Sequence, residues 1–410
     1  MAPTVRPPRL LYVVSLFPCW SETFIVRELA TLIAAGADVR ILSLKAPSEK
    51  MVHAEAERLL PRVRHPLAPA PAALARTRAF AAHPRLLSSL MFALGRALHR
   101  RPVDLAKSLE ALARGVEQLD WIREFDPDVV YAHWATFPST AALALARILG
   151  KPFGFTCHAH DIYVNDQLIA EKIDAAAVPV TISRFNVDWL TEKVSPRARE
   201  RLNVVHCGVD LTALPFRADG REEATIVTVG RLDPIKGFEV LVDAVGELAR
   251  QGRRVRCRII GEGPLRGELE AQIARLGLGG AVELLGARPQ AEVKAALYAA
   301  TIFALPSVVA PDGNRDGIPV SLMEAMAAGT PVVSTLCSGI PELVADGREG
   351  LLVPTREPAA LAGALGKLLD DADLRRRLAE AARAKIEREF DAAQEARKLL
   401  ELFTHVIARA

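Results

Sequence analysis

Two cations stand where a phosphate-binding turn would need them. In Val227-Thr-Val-Gly-Arg-Leu-Asp-Pro-Ile-Lys-Gly237 a β-branched run stops at Gly230, and Arg231 and Lys236 occupy the loop before a helical pattern. Backbone N–H groups at such a turn favour an anion, and flanking cations add charge-assisted hydrogen bonds. Gly230 lets the backbone approach a ligand closely. Two solvated surface cations would look the same singly; the Gly-Arg…Lys-Gly order directly after a strand is what points to a site. A second stretch carries Asp316 and Glu324, eight positions apart. Between them Gly317, Ile318 and Pro319 form a turn, and Pro319 or Val320 opens a helix that continues through Ser321. The free N–H groups and dipole of that helix start suit a phosphate. Glu324, one turn further in, can accept two ribose hydroxyls, and Asp316 on the loop can reach a sugar. Apolar neighbours crowd Glu324, and a carboxylate so placed needs a partner. A third stretch, Phe155-Thr-Cys-His-Ala-His-Asp-Ile162, ends a strand at His158 and continues with His160 and Asp161. A single histidine is usually structural, but two at one strand end facing a predicted cleft point to a site. His133, at the end of the preceding strand, stays open between the two readings.

The elements that must hold these residues alternate. Strands are expected at 10–16, 39–44, 129–133, 153–157, 178–182 and 204–207, with helices at 23–35, 104–124, 139–149 and 185–193 between them. After a polar stretch the alternation resumes, with strands at 226–229, 258–260, 282–285, 302–305 and 332–334. Such βαβα order argues for parallel sheets covered on both faces. Ligands in these sheets bind outside the carboxyl ends of the strands. The length of 410 residues suits two domains. We expect a first domain at 1–210, a linker at 211–223, a second domain at 224–390 and a closing helix at 391–410. A net charge of +3 is too small to argue for nucleic acid. No uncharged apolar run reaches the roughly 18 residues a membrane span needs. The five cysteines are scattered and odd in number, which suggests buried thiols in a reducing cytoplasm and no disulfide or zinc framework.

The residues from Val227 to Leu343 resemble the donor domain of glycosyltransferase family 4. The chain has Gly230-Arg231…Lys236-Gly237, Gly261-Glu-Gly263-Pro264, Ala304-Leu-Pro-Ser307, Asp316-x7-Glu324 and Gly339-Ile-Pro-Glu342, all motifs of that family. The resemblance implies a GT-B fold, an α/β architecture of two doubly wound Rossmann-like domains facing across a cleft. It also implies retention of anomeric configuration. By the same resemblance Arg231 and Lys236 would bind the donor diphosphate, Glu324 the ribose and Asp316 the transferred sugar. Gly317 and Ile318 would present N–H groups, and Arg288 would lie near the base. The commoner residue at position 316 is Glu, so the shorter Asp alters the sugar contact. Phe17-Pro-Cys-Trp-Ser-Glu-Thr-Phe-Ile25 and the His158 stretch are similar to the exopolysaccharide and colanic-acid branch. Ser21, Glu22 and Thr23 replace the usual Gly-Gly loop and join His133, His160 and Asp161 as acceptor-side candidates. His158 matches the position facing the donor sugar. The last helix would cross back to the first domain.

The expected activity is therefore glycosyl transfer from a nucleotide sugar, UDP favoured over GDP, to a glycan or polyprenyl-linked acceptor. No cofactor and no metal are expected, and Asp312 and Asp316 are poorly spaced for a metal pair. An epimerase of the same fold and a non-catalytic sugar-nucleotide-binding module are the alternatives. Gly261-Glu-Gly263 superficially resembles a dinucleotide fingerprint, but its third glycine is one place late. Residues 58–101 contain nine arginines and no Asp or Glu. Leu87, Leu90, Met91, Leu94 and Leu98 there share helical spacing, which predicts peripheral attachment to an anionic inner membrane face.

Overall fold

The computed structural model describes residues 6–19, 22–47, 54–166 and 168–409. Of the acceptor-side candidates, Ser21 lies outside them. The chain divides into two compact units. One comprises Met1–His206 with Ala393–Ala410, the other Cys207–Ala392.

The first unit is built on β1 (Arg9–Val14), β2 (Asp38–Ser43), β3 (Val63–Arg64), β4 (Val129–His133), β5 (Phe153–Cys157), β6 (Val178–Thr181) and β7 (Asn203–Val204). They form one parallel sheet in the order β3-β2-β1-β4-β5-β6-β7. Alternate residues of β1 feed two separate cores. Leu11 and Val13 join Val130 and Ala132 on one face, while Leu10, Tyr12 and Val14 join Val129 and Tyr131 on the other. This period-two division is what a sheet buried on both faces requires. Helix Phe137–Leu149 covers the first face with Ala141, Ala142 and Leu145. The closing helix Ala392–Ile407 covers the second with Ala396, Leu399 and Phe403, and the Phe403 ring meets Tyr131 edge-on at 4.9 Å.

The second unit holds β8 (Thr225–Val229), β9 (Arg256–Ile260), β10 (Val282–Gly286), β11 (Ile302–Leu305), β12 (Val332–Thr335) and β13 (Leu351–Val353), parallel in the order β10-β9-β8-β11-β12-β13. Strand order reverses between β8 and β11 here and between β1 and β4 in the first sheet. Those are the switch points where loops diverge and leave room for a ligand. Residues 211–223, expected as a linker, pack into this unit. The Arg221 guanidinium donates to the carbonyls of Leu297 at 3.1 Å, Ala300 at 2.9 Å and Gly329 at 2.6 Å.

Other departures are local. The helix expected over 104–124 is two, Pro102–Val116 and Leu119–Phe125. Residues 58–101 contain two helices, Pro69–Ala82 and Pro84–Leu98. Leu87, Leu94 and Leu98 of the expected membrane stripe are buried and Leu90 packs against the core, whereas Met91 stays exposed, so most of the stripe packs on its own domain. Among the described residues no helix is long and apolar enough to cross a membrane. Cys157, Cys257 and Cys337 are buried free thiols, whereas Cys19 and Cys207 are partly accessible.

One turn is fixed by a glycine. Gly261 follows β9 at φ +150°, and a Cβ there would overlap the Gly230 carbonyl oxygen. Its N–H donates to the Gly286 carbonyl at 2.9 Å, so the backbone has no room to retreat. Gly261→Ala is expected to lose about 2 kcal/mol or more of stability through imposed backbone strain. Urea unfolding measures this, and an unchanged midpoint would refute the close approach.

Candidate active site

At the switch point of the second sheet, the loop after β8 meets the loop after β11. Asp233 caps a short turn, Pro234–Lys236, by accepting from the Ile235 N–H, and Gly237 ends it at φ +64°. This places Lys236 inward. Its Nζ donates to Asp316 Oδ1 at 2.6 Å, and Ser307 Oγ donates to Oδ2 at 2.7 Å. The ammonium and carboxylate side chains are only 15% and 11% exposed, so their attraction is little screened by water. The Lys236 stem passes beside Gly230, where a Cβ would stand 3.4 Å from it, in ordinary van der Waals contact. Gly317, Ile318 and Pro319 are buried and lead into helix Val320–Ala328. Pro319 is the cap and no side chain caps the helix, which leaves the start at Val320 and Ser321 to its backbone N–H groups. Glu324, one turn in, is 6% exposed.

Two expected donor-side residues stand apart from this cluster. The Arg231 side chain is 66% exposed, and its guanidinium is 3.9 Å from Asp233. Arg288, after β10, sits 3.6 Å from Glu292 on the following helix. Among the described residues, no group of three His, Cys, Asp or Glu side chains could hold a metal ion.

In the first unit, β4 and β5 end beside each other and bring two histidines together. His133 Nδ1 is 3.1 Å from His158 Nε2, with the rings stacked at 5.3 Å. His133 Nε2 is 3.0 Å from Glu28 Oε1, which also accepts from the Tyr12 hydroxyl at 2.8 Å. The network assigns the protons. Facing a carboxylate, His133 Nε2 carries N–H; in the neutral ring Nδ1 then accepts, so His158 Nε2 donates. His158 is left with an Nδ1 lone pair. Burial, reinforced by His133, pushes the His158 pKa well below the usual imidazole value, so the ring is neutral at pH 7. Phe24 and Trp134 pack against it at 4.8 and 4.6 Å between ring centroids.

Asp161, expected on the acceptor side, is a brace. It is fully buried, and its carboxylate accepts from the His158 N–H at 2.9 Å and the Ala135 N–H at 2.5 Å. Both strand ends are thereby tied together, and no oxygen is turned to solvent. Asn186 adds a bond from Nδ2 to the His158 carbonyl at 2.8 Å. Buried Lys172 holds the next turn, donating to the carbonyls of Ala135 at 2.6 Å and Thr136 at 2.7 Å. His160 is exposed, and Glu22 and Thr23 are half-buried where helix Thr23–Ala34 begins.

Sequence reasoning missed Glu28, Tyr12 and Ser307. Tyr12 left a signal, since it is the one hydroxyl-bearing side chain in the apolar run Leu10–Val14. Glu28 left little, because one glutamate on a half-buried helix is ordinary. Ser307 lay inside a motif already noted.

Residues 216–385 match the family described as glycosyl transferases group 1, and residues 21–213 match Glycosyltransferase Family 4. The chain is 34% identical over 401 residues to the colanic acid biosynthesis glycosyltransferase WcaL of Escherichia coli K12, covering 92% of this chain and 94% of that one. It is 41% identical to the amylovoran biosynthesis glycosyltransferase AmsK of Erwinia amylovora over 206 residues, half of each chain. The crystal structure of Anabaena Alr3699/HepE in complex with UDP superposes with a TM-score of 0.68 at 19% identity, over 97% of this chain and 100% of that one. With two parallel Rossmann-like sheets, both family matches and likeness to WcaL along nearly its whole length, the chain belongs to glycosyltransferase family 4, with the GT-B fold, alongside the exopolysaccharide-biosynthesis branch its sequence resembles.

Proposed function

We propose that this glycosyltransferase moves a sugar from a nucleoside diphosphate donor, UDP favoured, to a polyprenyl-linked glycan with retention of configuration and without a metal. The carrying observation is the Lys236–Asp316–Ser307 cluster beside an uncapped helix start, with Glu324 one turn inside. Bond cleavage puts charge on the diphosphate, and Lys236 with the helix N–H groups are placed to stabilise it. HepE has been crystallised with UDP and with UDP-glucose, which supports the choice of base. His158 is the group that meets the transferred sugar, as an acceptor through Nδ1. Arg231 is free to swing onto the diphosphate when it binds.

Glu324→Ala tests the donor site. Loss of hydrogen bonds from ribose to a charged group costs roughly 1.5–3 kcal/mol, about 10- to 150-fold in affinity. Calorimetric titration with UDP should show that loss in a folded protein. Unchanged UDP affinity would remove Glu324 from the site.

We also propose that the enzyme works at the cytoplasmic membrane face through helices Pro69–Ala82 and Pro84–Leu98. With Leu87, Leu94 and Leu98 buried, the contact falls on the apolar side chains these helices leave exposed. Leu74, Phe80, Phe92 and, from the expected stripe, Met91 are exposed, Phe92 by 74%. Arg78 and Arg96 follow Leu74 and Phe92 by one helical turn, and neither they nor Arg85 and Arg100 form an ion pair among the described residues. Arg62, Arg76 and Arg101 do, with Asp38, Glu117 and Asp166. Each free arginine near an anionic surface contributes about 1 kcal/mol. Sedimentation should show binding to phosphatidylglycerol vesicles, and loss of it when Arg78, Arg85, Arg96 and Arg100 become Ser. Equal binding by wild type and the four-fold variant would end this assignment.

A further inference from the structure

The first unit contains a groove that nothing above uses. It has a volume of about 470 Å³ and runs between helices Pro84–Leu98, Pro102–Val116 and Phe137–Leu149 and the segment at 168–172. That volume falls in the range of roughly 300–1,000 Å³ typical of small-molecule sites. Its walls are Leu94, Leu112, Leu143 and Ala144, and small side chains at Ala93 and Ala97 leave the space open.

The charges are unequal. Arg96 and Arg147 line the groove, against the single acid Glu171. All three are exposed, so each head group can turn toward a ligand at the mouth. Neither arginine forms an ion pair among the described residues. Lys172 also lines it, and the Nζ of that lysine holds the Ala135 and Thr136 carbonyls directly after the turn that carries His133 and Trp134. The groove thus abuts the support of the histidine pair at one residue and carries unpaired cations at others.

A groove with apolar walls and exposed cations along it is complementary to an amphiphile, a hydrocarbon chain with an anionic head. The geometry points to the groove as the seat of the first isoprene units of the acceptor, with Arg96 and Arg147 on its phosphate. This rests on the lipid-linked acceptor proposed above. Placement beside the His133 support favours a substrate chain over a bilayer lipid. The walls recognise the chain and the arginines recognise the charge, so neither part alone should bind well.

Farnesyl diphosphate is the probe, titrated calorimetrically below its micelle concentration with UDP saturating the nucleotide site. It should bind one-to-one, with farnesol and inorganic diphosphate each at least about ten-fold weaker, a difference of 1.4 kcal/mol. Ala97→Trp should fill the groove from an exposed helical position and weaken binding by about ten-fold or more. Ser88→Trp, on the same helix but away from the groove, should change nothing. Arg96→Ser with Arg147→Ser should weaken farnesyl diphosphate yet leave farnesol unaffected. Unchanged binding in Ala97→Trp overturns the proposal. Inorganic diphosphate as tight as the farnesyl compound reduces it to a phosphate contact and overturns it too. Dihexanoyl phosphatidylglycerol binding as tightly would assign the groove to a bilayer lipid instead. If UDP still binds in any of these failures, the groove is wrong and the proposed UDP-sugar donor stands; if UDP itself does not bind, the choice of UDP as donor base fails.

Discussion

His158→Ala is expected to slow transfer by about 10²–10³-fold, the usual cost of one lost transition-state contact, while UDP affinity stays unchanged. The imidazole lies at the end of β5 in the first unit, and the residues proposed to bind the donor phosphate lie in the second. Its loss should therefore appear in turnover and not in nucleotide binding. Glu28→Gln separates position from contact. Among the described residues Glu28 reaches His158 through His133, at 3.0 and 3.1 Å. A glutamine can donate or accept, so the His133 tautomer is no longer dictated and the Nδ1 lone pair of His158 is no longer assured. Turnover should fall by about ten-fold, and the double variant should be no slower than His158→Ala, because residues acting through one chain are not additive. A double variant that multiplies the two losses would show that Glu28 works independently. The same ring carries a pH signature. Its folded pKa is depressed, so below the ordinary value of about 6.5 the unfolded chain binds the proton more readily and stability declines with falling pH. His158→Ala should unfold with a shallower decline over that window in urea titrations. A decline of identical slope would mean that the ring is not held neutral by the fold.

The sequence was most readable where one physical rule acted alone. Strands β4 and β5 end where expected, because β-branched and aromatic runs buried on both faces leave little choice. Gly230, Lys236 and Asp316 were legible as candidates because each answers a backbone or charge requirement. Their mutual contact was not, since an ion pair between residues 80 apart depends on strand order. Val63–Arg64 and Leu351–Val353 escaped notice because strands of two or three residues carry no period. The Leu87–Leu98 stripe was real, but an amphipathic period states that a face is buried and never against what. Asp161 shows a related limit. A His-x-His-Asp string offers Asp161 as an acceptor-side candidate in one dimension, and only the fold shows its carboxylate accepting from the His158 and Ala135 N–H groups.

Lys236 and Asp316 give the sharpest test of how the leaving group is handled. Their pair closes at 2.6 Å, so an arriving diphosphate must compete with Asp316 for the ammonium. Asp316→Asn keeps the shape and the Ser307 contact but removes the competing charge. It should bind UDP tighter by several-fold, about 1 kcal/mol, while transfer falls because the sugar loses its carboxylate. Lys236→Ala should cost about 10²–10³-fold in turnover, the scale of a lost preorganised donor. It should also lower stability by up to about 3 kcal/mol, because removing one partner strands a mostly buried carboxylate. The double variant Lys236→Ala with Asp316→Asn decides between the two effects. Stability should return, since no unpaired charge remains, and transfer should stay well below that of Asp316→Asn alone, since the cation is still missing. If transfer equals that of Asp316→Asn once stability returns, the lysine is a structural partner and the charge on the departing diphosphate is met elsewhere. Excess EDTA provides the complementary result: the wild-type rate should be unchanged, because Lys236, Arg231 and the helix start at Val320 supply the positive charge. A rate abolished by EDTA and restored by magnesium would place that charge on a metal ion and reduce Lys236 to its support.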